Sequence, residues 1–321
     1  MAVPPGIIIE TVEMHTGGEP VRIVVSGWPD TPGPTLLDRR RQAMAGLDGI
    51  RRFLMHEPRG HFDMYGAVPL PADDPAAAFA VLFLHNAGFS TMCGHATIAL
   101  GRWAVDSGRV AGRRFGLQCP CGTVEVSVEA DGSAAFVSVP AFAAGLDLVV
   151  EVPGFGPVPL DIGFGGAFYA ILPAARLGLS LDDPVARLTD AAAAVTEAAR
   201  AVPLHHPGEP ELAFLYGTIL TDGGDGLTAP SRNVCVFAER EVDRSPTGSG
   251  VTARMALAAA RGQAAGLRRF ASLTGAVFTG EIAESLSGAV RVRVAGKAHY
   301  TGSARFTAEA DDRLAGGFLL R

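Results

Sequence analysis

Two stretches of the chain repeat one pattern of apolar and polar positions, and the other elements fall into order around them. Ser90-Thr91-Met92-Cys93-Gly94-His95 is a short polar turn that runs into residues 96–103, which are apolar on nearly every side. That profile belongs to a helix buried all round rather than one lying on a surface. Arg244-Ser245-Pro246-Thr247-Gly248-Ser249-Gly250 leads into a second such run from Val251 to Ala260. Each predicted helix begins on a small thiol or hydroxyl residue followed by glycine. Their offset, 247 − 93 = 154, is close to half of the 321 residues, which predicts an internal duplication.

Shorter patterns fill in the rest. Residues 7–12 and 21–25 read as strands around the turn His15-Thr16-Gly17-Gly18-Glu19-Pro20. Residues 36–54 keep apolar side chains at Leu37, Met44, Leu47, Ile50 and Leu54, which predicts one amphipathic helix with its arginines mostly outward. Residues 77–84 form a continuous apolar strand leading to the Cys93 turn, and 124–128 with 134–139 form a hairpin around Asp131-Gly132. Residues 140–145 read as the crossing into the second half. There, strands are expected at 146–150, 158–162, 168–172, 212–221, 233–238, 276–282, 290–294 and 299–302, with an alanine-rich helix at 186–202.

Composition narrows the function. A chain of this length holds roughly two domains of about 150 residues. Its 27 Lys+Arg against 33 Asp+Glu give a net charge of −6 with no basic stripe, which argues against a nucleic-acid partner. No apolar run approaches the roughly 20 residues a membrane span needs, and no signal peptide is evident at the N-terminus. Cys93, Cys119, Cys121 and Cys235 read as a reduced, cytoplasmic set, with Cys119, Cys121 and Cys235 assigned to packing. Gly163-Phe164-Gly165-Gly166 lacks the helix and acidic residue of a dinucleotide fingerprint, and the eight histidines show no metal-ligand spacing.

The chemistry therefore concentrates at the two helix starts. N–H groups there lack partners within the helix, and the macrodipole adds partial positive charge. Both favour a thiolate at Cys93 and an anion against the N–H groups of Gly94, His95, Gly248 and Ser249. If both ends serve one cleft, a bound carboxylate presents its α-carbon between Cys93 and Thr247. Asp243 and His95, close to this anion site in sequence, suit the amine of an amino acid zwitterion.

These residues resemble a known family. Met92-Cys93-Gly94-His95 and Asp243-Arg244-Ser245-Pro246-Thr247-Gly248-Ser249-Gly250 are similar to the paired signatures of the proline racemase superfamily, which includes 4-hydroxyproline epimerases and trans-3-hydroxy-L-proline dehydratases. His15 to Pro20, Arg59-Gly60-His61, Asp63 to Gly66, Gly165 to Tyr169, Phe278-Thr279-Gly280 and Ala298 to Gly302 match further landmarks, so the resemblance runs nearly end to end. It implies a diaminopimelate-epimerase-like α/β (α+β) fold: two similar domains, each a mostly antiparallel, barrel-like sheet around a central helix, with the active site in the cleft between them. The first is expected at 1–145 plus 306–321 and the second at 146–305. Neither a metal nor an organic cofactor is implied.

Threonine at position 247 points to the dehydratase subgroup, whose likeness extends through Phe214 to Gly223 and Val251 to Arg254. Racemases and epimerases of this superfamily carry cysteine there, so that one thiolate removes the α-proton and a thiol on the other side returns one. A hydroxyl is too weak an acid for that exchange. The resemblance thus implies a lyase that uses Cys93 as base, with Thr247 as the second catalytic position, and loses the C3 hydroxyl as water. Thr247, His95 and a water all remain as proton donors to that hydroxyl. Such a reaction suits hydroxyproline catabolism. The alternatives are a racemase or epimerase with the same cleft, and a non-catalytic amino acid binder. The substrate is a small molecule, and the sequence leaves room for a homodimer without specifying one.

Overall fold

The computed structural model describes residues 3–263 and 265–320. In chain order the elements are β1 (Ile8–Thr16), β2 (Glu19–Ser26), α1 (Leu36–Gly46), α2 (Asp48–Met55), β3 (Tyr65–Leu70), β4 (Ala77–His85), β5 (Phe89–Ser90), α3 (Gly94–Asp106), β6 (Arg114–Cys119), β7 (Gly122–Val128) and β8 (Ser133–Val137). They continue with β9 (Phe142–Val152), β10 (Gly156–Phe164), β11 (Phe168–Pro173), α4 (Val185–Ala199), β12 (Leu215–Thr221), β13 (Ser231–Phe237), β14 (Glu241–Asp243), α5 (Gly248–Ala260), β15 (Arg268–Ala271), β16 (Val277–Leu286) and β17 (Ala289–Thr307). The chain divides into two compact units, 1–134 with 297–321 and 135–296.

The expected duplication shows in the strand pairing of each unit. In the first, β1 pairs antiparallel with β2, β2 parallel with β3, β3 antiparallel with β4, and β4 antiparallel with β5 and parallel with β6. In the second, β10, β11, β12, β13, β14 and β15 repeat that series in the same order and sense. The hairpin β6–β7 recurs as β15–β16. Each unit has one further strand: in the first, residues 298–307 of β17 pair antiparallel with β1, and in the second, β9 pairs antiparallel with β10. Both units wrap a helix. α3 packs against β1, β2 and β7, and α5 against β9, β10, β11 and β16, which is why each helix needs apolar residues on every side.

The turn between β1 and β2 is set by glycine. Thr16 pairs with Glu19, and Gly17 and Gly18 both take positive φ, 66° and 91°, as a tight two-residue hairpin demands. Outside the sheet of the first unit, Ile50, Phe53, Leu54 and Met55 from α2 meet Leu82 and Leu84 from β4 in one core cluster.

Three details differ from the sequence reading. The helix expected over 36–54 is two, broken after Gly46 where Leu47 takes φ −113° and ψ 10°. Its arginines are not all outward: Arg40 and Arg51 are buried, donating to the carbonyls of Phe89 and His85 at 2.7 Å each. Carbonyls at the end of β4 and the start of β5 need donors that the ladder does not supply, and a long guanidinium reaches them. The two strands expected at 290–294 and 299–302 are one, β17, since residues 295–298 continue extended with no turn.

Candidate active site

In the first unit the site is built on the start of α3. Cys93 is its N-cap, in an extended backbone conformation, and the buried sulfur accepts from the Ala96 N–H at 3.4 Å. That bond is one a thiolate makes better than a thiol. His95, one residue into the helix, turns its ring back so that Nδ1 lies 3.1 Å from the Cys93 sulfur. Burial pushes the imidazole down to about 3, opposed by a hydrogen bond to the Pro20 carbonyl, so the ring is neutral near pH 7. A neutral imidazole has one N–H.

The β1–β2 hairpin holds this arrangement. Pro20 supplies the carbonyl, and the Thr16 hydroxyl donates to the carbonyl of His95 at 2.9 Å. Tyr65 closes the other side, its ring edge-on to His95 at 4.8 Å and its hydroxyl 2.7 Å from the Ser90 Oγ.

In the second unit the equivalent helix, α5, starts differently. Thr247 sits at φ 63° and ψ 89°, the left-handed region, and makes no side-chain cap. A β-branched residue there is strained by on the order of 1–3 kcal/mol. Its N–H donates to the Ser245 Oγ at 3.1 Å, and its hydroxyl donates to Asp243 Oδ2 at 2.8 Å. Asp243 is buried, and its Oδ1 accepts from the Ser245 N–H at 2.7 Å. Burial raises its carboxyl to about 6, against the pull of the bonds from Ser245 and Thr247.

The glycines at 163–166 have a packing reason rather than a nucleotide one. A Cβ on Gly165 would stand 2.1 Å from the Ser249 carbonyl, and one on Gly163 3.1 Å from that of Ala253. They let the β10–β11 turn close onto the first turns of α5, as the β1–β2 turn closes onto α3. Tyr169 then reaches Ser249, hydroxyl to hydroxyl at 2.7 Å.

Thus Cys93, Gly94 and His95 lie together in the first unit, and Asp243, Thr247, Gly248 and Ser249 in the second. The first two N–H groups of each helix lack a carbonyl one turn back by the geometry of any helix end. Applying the 154-residue offset, 243 − 154 = 89 and 249 − 154 = 95, so Asp243 matches Phe89 and Ser249 matches His95. The two halves share a scaffold and differ in chemistry.

Sequence reasoning passed over Tyr65, Ser90, Tyr169 and Ser245. Tyr65 and Tyr169 lay within quoted motifs, but nothing in spacing says which hydroxyl a tyrosine will meet. Cys119 and Cys121 are displaced upward by burial, Cys119 well above the usual thiol range and Cys121 to about 12. Both suit packing. Among the described residues no group of His, Cys, Asp and Glu is arranged to hold a metal, and no helix is long and apolar enough to cross a membrane.

Comparison with known proteins finds relatives over nearly the whole chain. A family model described as proline racemase matches residues 11–319. A Homo sapiens protein named trans-3-hydroxy-L-proline dehydratase is 53% identical, covering 98% of this chain and 95% of that one. A Burkholderia multivorans protein named 3-hydroxyproline 2-epimerase is 43% identical, covering 98% of each. Among solved structures, a probable proline racemase from Agrobacterium radiobacter K84 matches with a TM-score of 0.91 at 26% identity, over 97% of this chain and 96% of that one. A hydroxyproline epimerase from Agrobacterium vitis matches at 0.90 and 25%, over 98% and 96%.

Proposed function

Since the chain belongs to the proline racemase family, we propose that it is a hydro-lyase converting trans-3-hydroxy-L-proline to Δ1-pyrroline-2-carboxylate. The observation that carries this reading is the asymmetry of the two helix starts. Cys93 presents a sulfur that accepts hydrogen bonds, whereas Thr247 presents a hydroxyl whose proton is committed to Asp243. Such a pair has one base and no matching acid, which suits elimination and not inversion.

In the proposed sequence the Cys93 thiolate takes the Cα proton and becomes a thiol. The electron pair forms the Cα–C3 double bond, the C3–O bond breaks, and the departing oxygen takes a proton to leave as water. The enamine then tautomerises: the ring nitrogen loses its proton and C3 gains one. Atoms balance without oxidant, metal or organic cofactor.

The carboxylate is held by the N–H groups of Gly94, His95, Gly248 and Ser249, which gain strength as charge moves into it, so the transition state is bound better than the ground state. Asp243, a buried carboxyl that accepts from the Thr247 hydroxyl, serves the amine of the substrate.

The reading favoured by the name of the Burkholderia multivorans relative is epimerisation. One assay separates the two: the purified protein in D2O with trans-3-hydroxy-L-proline, trans-4-hydroxy-L-proline or L-proline, followed by proton NMR and chiral analysis. Water loss is expected from the first alone, with at most α-deuteration and retention from the others. Cys93→Ser should lower the dehydration rate by on the order of 10³-fold. Inversion at Cα by the unaltered protein, or full activity in Cys93→Ser, would refute the proposal.

A further inference from the structure

The second unit contains a cavity of about 340 Å³ that the reaction above does not use. Arg176, Arg254, Arg261 and Arg268 line it, together with Asp147, Asp161 and Asp225. The charges do not cancel locally. Arg261 takes both Asp161 and Asp147, at 2.8 and 3.0 Å. Asp225 turns its Oδ1 to the Leu227 N–H at 2.9 Å.

Arg254 and Arg268 remain. Arg254 donates to the Asn233 Oδ1 at 3.2 Å, to the Gly224 carbonyl at 3.2 Å and to the Ser231 Oγ at 2.5 Å, all neutral acceptors. Asp222, whose charge acts on Arg254, accepts its hydrogen bonds from the N–H groups of Gly224 and Arg232 and from the Ser231 hydroxyl, each at 2.8 Å. Arg268 is buried, 6% exposed, and among the described residues its side chain bonds only the carbonyls of Asp225 and Gln263. Its Nε has no partner among the described residues. Neither arginine has a carboxylate within ion-pair range among the described residues; burial lowers Arg254 below the usual guanidinium range, to about 10, the charge of Asp222 opposes that, and the repulsion of Arg268 is a smaller push in the same direction as burial.

Two neighbouring guanidiniums, Arg268 buried and Arg254 partly so, one with an N–H that has no partner among the described residues, form an arrangement that an anion would stabilise. Burying like charges side by side is costly, and an unmet N–H adds the desolvation of a charged group. A tetrahedral oxyanion presents acceptors to several guanidinium forks at once, which a single planar carboxylate does less well. We propose that this cavity is a binding site for a phosphate-class oxyanion, held by Arg254 and Arg268 with Arg176 at the rim.

The site connects to the helix start. Asn233, which accepts from Arg254, donates to the Pro246 carbonyl at 3.3 Å, next to Thr247. It also gives a role to residues singled out in the sequence, the run from Phe214 to Gly223 and Arg254, that the dehydration chemistry leaves unexplained.

The test is isothermal titration of the full-length protein with inorganic phosphate, at constant ionic strength set with sodium chloride. Saturable binding of one phosphate per chain is expected, weakened about tenfold or more by Arg268→Gln, as loss of a charged hydrogen bond predicts. Arg176→Gln, at an exposed position that leaves the fold intact, should weaken it less, and it decides the matter if Arg268→Gln does not fold. Glycerol 3-phosphate binding tighter than phosphate would identify a phosphomonoester as the ligand; equal or weaker binding would identify the free ion. Malonate binding tighter than both phosphates would overturn the assignment. So would an absence of saturable heat at tens of millimolar phosphate, or binding that neither substitution changes. Binding is measured without turnover, so the outcome stands apart from the dehydratase reading.

Discussion

At the scale of single residues, the informative position is Thr247. Its identity was legible in the sequence and selected a lyase over an isomerase. Its backbone was not: nothing in Ser245-Pro246-Thr247-Gly248 announces that a β-branched residue will sit at φ 63°. The hydrogen bond to Asp243 was equally hidden, since Asp243 read as a group for an amine. Thr247→Cys replaces the hydroxyl with an acid of useful strength, and some α-epimerisation of hydroxyproline is expected by chiral chromatography. Unchanged stereochemistry would refute the claim that Cys93 and residue 247 act on one substrate. His95 and Asp243 make a second, opposed pair of predictions about pH. The folded chain keeps His95 neutral to about 3, whereas the unfolded chain protonates near 6.5, so stability falls as pH drops below 6.5. Asp243 behaves in the other sense: the folded chain holds its proton to about 6 and the unfolded chain releases it near 3.8, so that contribution is lost as pH rises towards 6. Thermal midpoints measured from pH 4 to 8 should show a flatter acid limb for His95→Gln and a steeper rise with pH for Asp243→Asn. Curves parallel to the unaltered protein would contradict the burial of either group.

At the scale of elements, each helix start is shaped by the hairpin that closes over it. Periodicity found α3 and α5 because a helix wrapped by strands must be apolar all round. It missed β3, β6 and β15, which are short, carry Gly, Pro, Arg or Gln, and derive their place from pairing with longer neighbours. It also misjudged Arg40 and Arg51, because a sequence pattern cannot tell a solvated arginine from one bonded to carbonyls inside. Gly163 to Gly166 shows the same limit: the glycines were visible, and the reason for them, close approach to α5, was not. Gly165→Ala tests that reason. Its Cβ would meet a backbone carbonyl at 2.1 Å, where neither neighbour is a flexible side-chain end. A loss on the order of 3 kcal/mol is expected in chemical denaturation, as overpacking of a rigid site gives. Gly154→Ala, with open space around it but a φ of +83°, should cost only the backbone strain. Equal losses in the two would remove the packing explanation.

At the scale of the whole molecule, the duplication was legible as an offset of 154 and the resemblance implied a last segment that rejoins the first unit, whereas the strands that carry the chain from one unit to the other were not legible. Strand periodicity says where a chain is extended and nothing about which sheet it joins. The boundaries expected at 145 and 305 fall inside β9 and β17, strands that each begin soon after, or within, one unit's last hairpin and pair with the first strand of the other unit's series. The consequence is unequal. Residues 135–296 form one contiguous segment containing β9 and every partner of β10 to β16. The first unit is discontinuous, since β1 needs residues 298–307 for its outer ladder and Arg59 needs Asp312, at 2.7 Å, and the carbonyl of Thr307. A fragment of residues 135–296 should therefore unfold cooperatively by itself when heated and followed by circular dichroism. Residues 1–134 should show no such transition alone, because an entire edge of β1 is left with unmet N–H and carbonyl groups beside apolar side chains. Adding a peptide of residues 297–321 should restore it. A cooperative 1–134 fragment, indifferent to the peptide, would mean that the returning strand decorates the first unit instead of completing it.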